Sequence, residues 1–152
     1  MKKIIIAGVA ALVLLGGAGG TFAYLHLHHH AGPPKPPPPK PILFAELDSL
    51  VVSVPADSSG QSGQAYVQFS VEFASTNPAA LTSFDALLPI IKAKTIDLLM
   101  TQNAKQLMDP STHAALAKNC LAIANQVLGV SAAFTPPNPF TAAYITNIVE
   151  QD

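Results

Sequence analysis

The sequence predicts an α+β protein: one N-terminal transmembrane helix, then a small domain with a three-stranded sheet and two helices. Three observations predict it. An uncharged run from Ile4 to Leu25 has the length of a membrane span, two segments alternate apolar and polar residues, and two later segments repeat apolar residues at three- and four-residue spacing. Of 152 residues, 49% are hydrophobic and 11% charged. That is far below the roughly 25% charge of an ordinary soluble domain, as expected if a membrane segment dilutes the average and Ser, Thr, Asn and Gln coat the rest. The chain accordingly divides into 1–3, a short cytoplasmic N-terminus; 4–25, a transmembrane helix; 26–41, a His- and Pro-rich linker; and 42–152, a domain beyond the membrane, which in a bacterium is the periplasm.

The span comes first. About 22 helical residues at ~1.5 Å rise cover roughly 33 Å, close to the hydrocarbon thickness of a bilayer. Lys2 and Lys3 precede it and no lysine follows until Lys35, so the positive-inside rule keeps the N-terminus in the cytoplasm and sends the remainder outward. Thr21, Phe22 and Ala23 offer the small residues of a signal-peptidase site, so a cleaved signal peptide is the alternative. The run is longer than the usual h-region of about 7 to 15 residues, which favours the anchor. Gly16 and Gly20 have the small-xxx-small spacing that lets transmembrane helices approach closely, although glycine is common in membrane helices anyway.

His26, His28, His29 and His30 follow, then Pro33 to Pro41, where seven prolines are interrupted only by Lys35 and Lys40. Such a run adopts an extended polyproline II conformation, and nine residues at ~3.1 Å each reach about 28 Å. A stiff spacer argues for a distance that matters. The histidine cluster suggests an alternative function, a membrane-anchored or secreted metal- or ligand-binding module. Four histidines on an irregular segment fix no coordination geometry, however, so no metal site is assigned.

In the domain, Ile42 to Val54 reads as a strand in its second half, with Leu50, Val52 and Val54 on one face, and 55–64 is a polar loop. From Ala65 to Phe73, Val67, Phe69, Val71 and Phe73 alternate with Gln68, Ser70 and Glu72, the pattern of a strand with one buried face. Asn77-Pro78 is a helix-start signal. A stripe through Leu81, Phe84, Leu88, Ile91, Thr95 and Leu98 extends that helix to about Leu107, with Pro89 kinking it or starting its second part. Asp109-Pro110 repeats the start signal, Leu116, Cys120, Ile123 and Val127 share a face, and Gly129 suits the C-terminal cap. After a loop with Pro136, Pro137 and Pro139, Ala142 to Val149 is the last strand. Strands and helices segregated in this order give a small sheet covered on one face by helices.

Charge and chemistry then narrow the function. Eight lysines occur with no arginine, removing the side chain best suited to bidentate phosphate capture and base-edge readout, so nucleic acid is an unfavourable partner. Residues 1–41 hold four lysines and no acid, and residues 42–152 hold four lysines against nine acids. The single cysteine excludes an internal disulfide, and about 110 residues suffice for a packed core. No Walker loop, dinucleotide fingerprint, HExxH or GxSxG occurs. His113 is the domain's only histidine, and Cys120 lies seven residues later. On one helix they lie about two turns, roughly 10 Å, apart, too far for a thiolate-imidazole hydrogen bond. Cys120 is expected to pack as a small apolar residue and His113 to be exposed. No catalytic residue, cofactor, metal site or small-molecule substrate is expected, and the protein is read as not an enzyme.

Several local patterns, in order, resemble the FliL family of flagellar basal-body proteins. Phe44, Leu47, Asp48, Val51, Val52 and Val54 resemble the family's first strand, with Ser53 where it usually has Asn. Leu88-Pro89-Ile90-Ile91-Lys92, Ile96-Asp97-Leu98-Leu99, Gln106-Leu107, Leu116 and Ile123-Ala124-Asn125 resemble its helical part, and Tyr144 to Gln151 is similar to its terminal strand. The scarcity of arginine and the proline-rich loop at 136–139 depart from the family pattern. The resemblance implies a single-pass bacterial inner-membrane protein of the flagellar basal body, with a periplasmic domain similar to the stomatin-like (SPFH) fold. It also implies self-association into a ring and partnership with stator proteins of the MotA and MotB type, supporting torque and swarming. Its expected partners are thus the lipid bilayer, its own copies and the stator.

Overall fold

The computed structural model describes residues 36–59, 63–134 and 137–151. The expected span at 4–25, with Gly16 and Gly20, and the His26 to His30 cluster lie outside them. No helix among the described residues is long and apolar enough to cross a membrane. The chain falls into two units, Met1–Pro39 and Lys40–Asp152. In the first, Pro36 to Pro39 are exposed and carry no regular secondary structure.

The second unit is an α+β domain with the order β1 (Leu43–Pro55), β2 (Gln64–Ser75), α1 (Pro78–Met100), α2 (Ala104–Met108), α3 (Pro110–Ser131) and β3 (Ala142–Gln151). The sheet is antiparallel with β2 in the centre and β1 and β3 at its edges. Strand β1 is longer than its alternation suggests. Ala45 and Leu47 are buried, Asp48 and Ser49 are both exposed, and burial resumes at Leu50, Val52 and Val54. The pairing register shifts between Leu47 and Leu50, so a bulge reverses the parity of the pattern and hides the strand's first half from a period-two reading. A matching irregularity lies opposite Ser70/Val71, where Asn147 and Ile145 are the paired residues and Thr146 is the extra one on β3.

Asn77 and Asp109 cap α1 and α3 as their sequence signals predict, accepting from Ala79 N and Ser111 N at 3.0 and 2.9 Å. Helix α1 passes through Pro89 without interruption because Asp85, Ala86 and Pro89 lie on its exposed side, where the carbonyl left without a helical donor meets water. It ends at Met100 rather than near Leu107. Two helices were expected and three are found. Asn103 starts the five-residue α2 with a reciprocal capping box to Gln106, a segment too short to show a periodic stripe. Gly129 is not the cap of α3. The helix runs to Ser131, and the left-handed residue beyond it is Ala133, at φ 49°.

The core lies between one sheet face and the helices. Leu47, Val54, Val67, Phe69, Val71 and Phe73 from the sheet meet Phe84, Ile91 and Leu99 of α1 and Leu116, Cys120 and Leu128 of α3. Thr95 joins the stripe fully buried, and its hydroxyl is the one such buried side-chain atom without a partner among the described residues.

Candidate interaction surface

The residues singled out for chemistry are placed by the fold as structural parts. Cys120 is fully buried on α3, and that burial pushes its thiol up to about 12, so no thiolate forms near neutral pH. His113 is half-buried rather than exposed, because the turn before α3 folds back over it and its Nε2–H donates to the Leu107 carbonyl at 2.9 Å. It borders a groove of about 350 Å³ beside the open edge of β3, with Ala117, Tyr144, Thr146 and Ile148. No group of three or more metal-ligating side chains occurs among the described residues.

Asp109 is a working cap. Its carboxylate accepts from the Ser111 backbone, which, with the Ser111 side chain, holds it below the usual carboxylate range, helped slightly by His113. A carboxyl with a depressed folded-state pKa adds stability above its unfolded pKa, and loses it as pH falls through the folded value. Urea denaturation between about pH 5 and about pH 2 is therefore expected to show a loss of stability on acidification that is reduced in Asp109→Asn.

The remaining surface with a distinct character is the sheet face opposite the helices. The register puts Phe44, Ala74 and Ala142 in one row, Glu46, Glu72 and Tyr144 in the next, and Val51, Gln68 and Val149 further along. Phe44 and Tyr144 are 51% and 53% exposed, yet their rings meet at 6.3 Å with a 57° tilt, reaching across β2 over Ala74, which they leave only 3% exposed. Charge is segregated too: the three strands carry four acids and no lysine, whereas Lys92, Lys94, Lys105 and Lys118 all sit on helices. One contact crosses between these sets. The β1 bulge presents Asp48 to Lys92 of α1 at 3.2 Å, an exposed pair worth about 0 to 1 kcal/mol.

Sequence patterning missed three side chains that set this geometry. Asn125 binds both backbone groups of Phe140, donating to its carbonyl and accepting from its N–H, each at 3.0 Å. Ser75 Oγ donates to the Pro139 carbonyl at 2.7 Å and accepts from Asn77 N. Phe140 itself is buried from a loop. Only Asn125 left a trace, as a polar residue on an otherwise apolar helical face.

Among known proteins, the family model described as "Flagellar basal body-associated protein FliL" matches residues 44–151. The match takes in nearly all of the domain, from the second residue of β1 to the last of β3. No curated protein matches the chain.

Proposed function

Since the chain belongs to the FliL family and is thus a flagellar basal body-associated protein, we propose that it is a non-enzymatic accessory of the motor. In this reading residues 4–25 cross the inner membrane once, residues 26–41 act as a spacer of set reach, and the domain stands in the periplasm. There it self-associates in the manner of stomatin-like domains and braces stator proteins of the MotA and MotB type, supporting torque and swarming under load. The observation that carries the reading is the family match over 44–151. Two features of the domain support it. Its one thiol is buried with a pKa pushed up to about 12, and its one histidine ring is committed to a backbone carbonyl, which leaves neither poised for nucleophilic chemistry.

The test is made in the native host with the full chain. Deleting residues 34–39 shortens a polyproline II spacer by roughly 19 Å. With the shortened protein still folded and in the membrane, swarming and swimming in viscous medium are expected to fall toward the level of the complete deletion, and the protein is expected to co-purify with basal bodies. Unchanged motility under load in the complete deletion overturns the motor role. Full function with the shortened spacer overturns the fixed reach.

A further inference from the structure

The sheet face opposite the helices has no covering element among the described residues, and its size limits what covers it. Three strands spaced about 4.8 Å apart and about ten residues long offer roughly 14 by 34 Å, near 500 Å². A strip of that length and width is one that a single extended segment can cover. The sheet edges are poorer sites. The register shift in β1 and the extra Thr146 in β3 interrupt both free backbone ladders, and such bulges are how edge strands are blunted against further pairing.

The chemistry of the face is specific. Phe44 and Tyr144 form an exposed aromatic pair, and in the adjoining row Glu46 and Glu72 stand directly opposite one another across β1 and β2. Like charges in directly opposed positions destabilise a strand pair. No lysine lies on any strand, and the one ion pair among the described residues uses Asp48 instead. Aromatic rings beside unneutralised carboxylates are what a basic proline-rich strand needs: proline rings pack on the aromatic faces, and a lysine ammonium meets the carboxylates and the ring.

The same chain carries such a strand. Pro33 to Pro41 has seven prolines with Lys35 and Lys40, and residues 1–41 contain no acid at all. Pro36 to Pro41 are exposed. The segment is poorly suited to its own domain, because Pro41 leads through Ile42 alone into β1, and Phe44 of the face lies only three residues on. A reversal onto the sheet would have to be made at that single residue, between a proline and the first strand position. A second copy has no such constraint. We propose that the Pro33–Pro41 segment of one copy docks on the Phe44, Tyr144, Glu46 and Glu72 face of another, linking neighbouring copies close to where each leaves its spacer. The contact rests on the self-association in the proposed function and gives it a residue-level basis.

The experiment uses the full chain in host membranes, with two differently tagged copies co-expressed and Tyr144→p-benzoylphenylalanine in one. After irradiation, adducts to residues 33–41 of the other copy are expected. Reversing both charges of the donor segment, Lys35→Glu with Lys40→Glu, is expected to reduce them at least about fivefold, the effect of roughly 1 kcal/mol. Glu46→Lys with Glu72→Lys in the probe-bearing copy is expected to restore them. Adducts confined to the probe's own copy or to another protein, or a yield indifferent to charge reversal, overturn the docking. The mass of the detergent-solubilised complex separates the two levels. Copies that stay associated without linker adducts remove the docking and leave self-association standing, whereas a monomer removes both.

Discussion

Phe84→Ala is expected to destabilise the domain by about 3 to 5 kcal/mol, the range for deleting a buried ring that cannot be replaced by collapse. Phe73 from β2, Phe84 from α1 and Phe140 from the loop before β3 form a closed trio, with centroids 5.4, 5.6 and 5.6 Å apart. All three are essentially inaccessible. Each tilted or edge-on pair adds about 0.5 to 1.5 kcal/mol beyond simple burial, and truncating Phe84 removes two of the three while opening a cavity between sheet and helix. A domain of this size has about 5 to 15 kcal/mol to lose, so the variant is expected to be marginal at 37 °C. Urea denaturation of the Lys40–Asp152 unit measures the effect. Val51→Ala, on the outer face at 59% exposure, is the control, expected to change stability by less than about 0.5 kcal/mol. Comparable losses in the two variants would mean that the trio is not the centre of the core.

The trio also marks the boundary of what can be read from the chain. Phe73 and Phe84 lie on periodic faces, and the alternation of β2 and the stripe of α1 put both inside by pattern alone. Phe140 lies in an aperiodic proline-rich loop, where nothing local signals burial. The first half of β1 was hidden for a different reason: a bulge at Asp48 and Ser49 changes the parity of the strand, so a fixed two-residue period finds only the half beyond it. Helix α2 is announced only by its caps. The outer face shows the same division. That Phe44, Glu46, Glu72 and Tyr144 occur was plain, but their adjacency depends on the registers β1·β2 and β2·β3, which are long-range facts. Segregation of lysine onto the helices became visible only once the elements had boundaries. The family resemblance was legible because it rests on the order and spacing of short local patterns, which a chain displays without its fold.

Asn125→Leu is the second large effect, expected at about 2 to 6 kcal/mol, because it keeps the branched shape and strands two backbone groups. Asn125 is 8% exposed, and its amide is matched to both polar groups of Phe140. Leucine leaves a buried N–H and a buried carbonyl unpaired, each costing about 1 to 3 kcal/mol. The damage is expected to be local first. Thr141 N donates to Ala74 O and Ser75 Oγ to Pro139 O, so releasing Phe140 frees the segment that sets where β3 begins and hence where Tyr144 meets Phe44. Hydrogen exchange is expected to quicken at Phe140 and Thr141 well before the helices respond. Asn125→Asp separates the two bonds. A carboxylate still accepts from the Phe140 N–H but faces the Phe140 carbonyl with no proton to give, so protonation restores the missing donor. That variant's folded-state carboxyl is favoured in its protonated form, and its stability deficit is expected to shrink as pH falls. The wild-type Asp109 cap works in the opposite direction, losing stability on acidification. If Asn125→Asp instead tracked the wild type at every pH, the Phe140 carbonyl would not depend on this amide. The polar residue that closes Ile123-Ala124-Asn125 would then lack the role that its geometry assigns it.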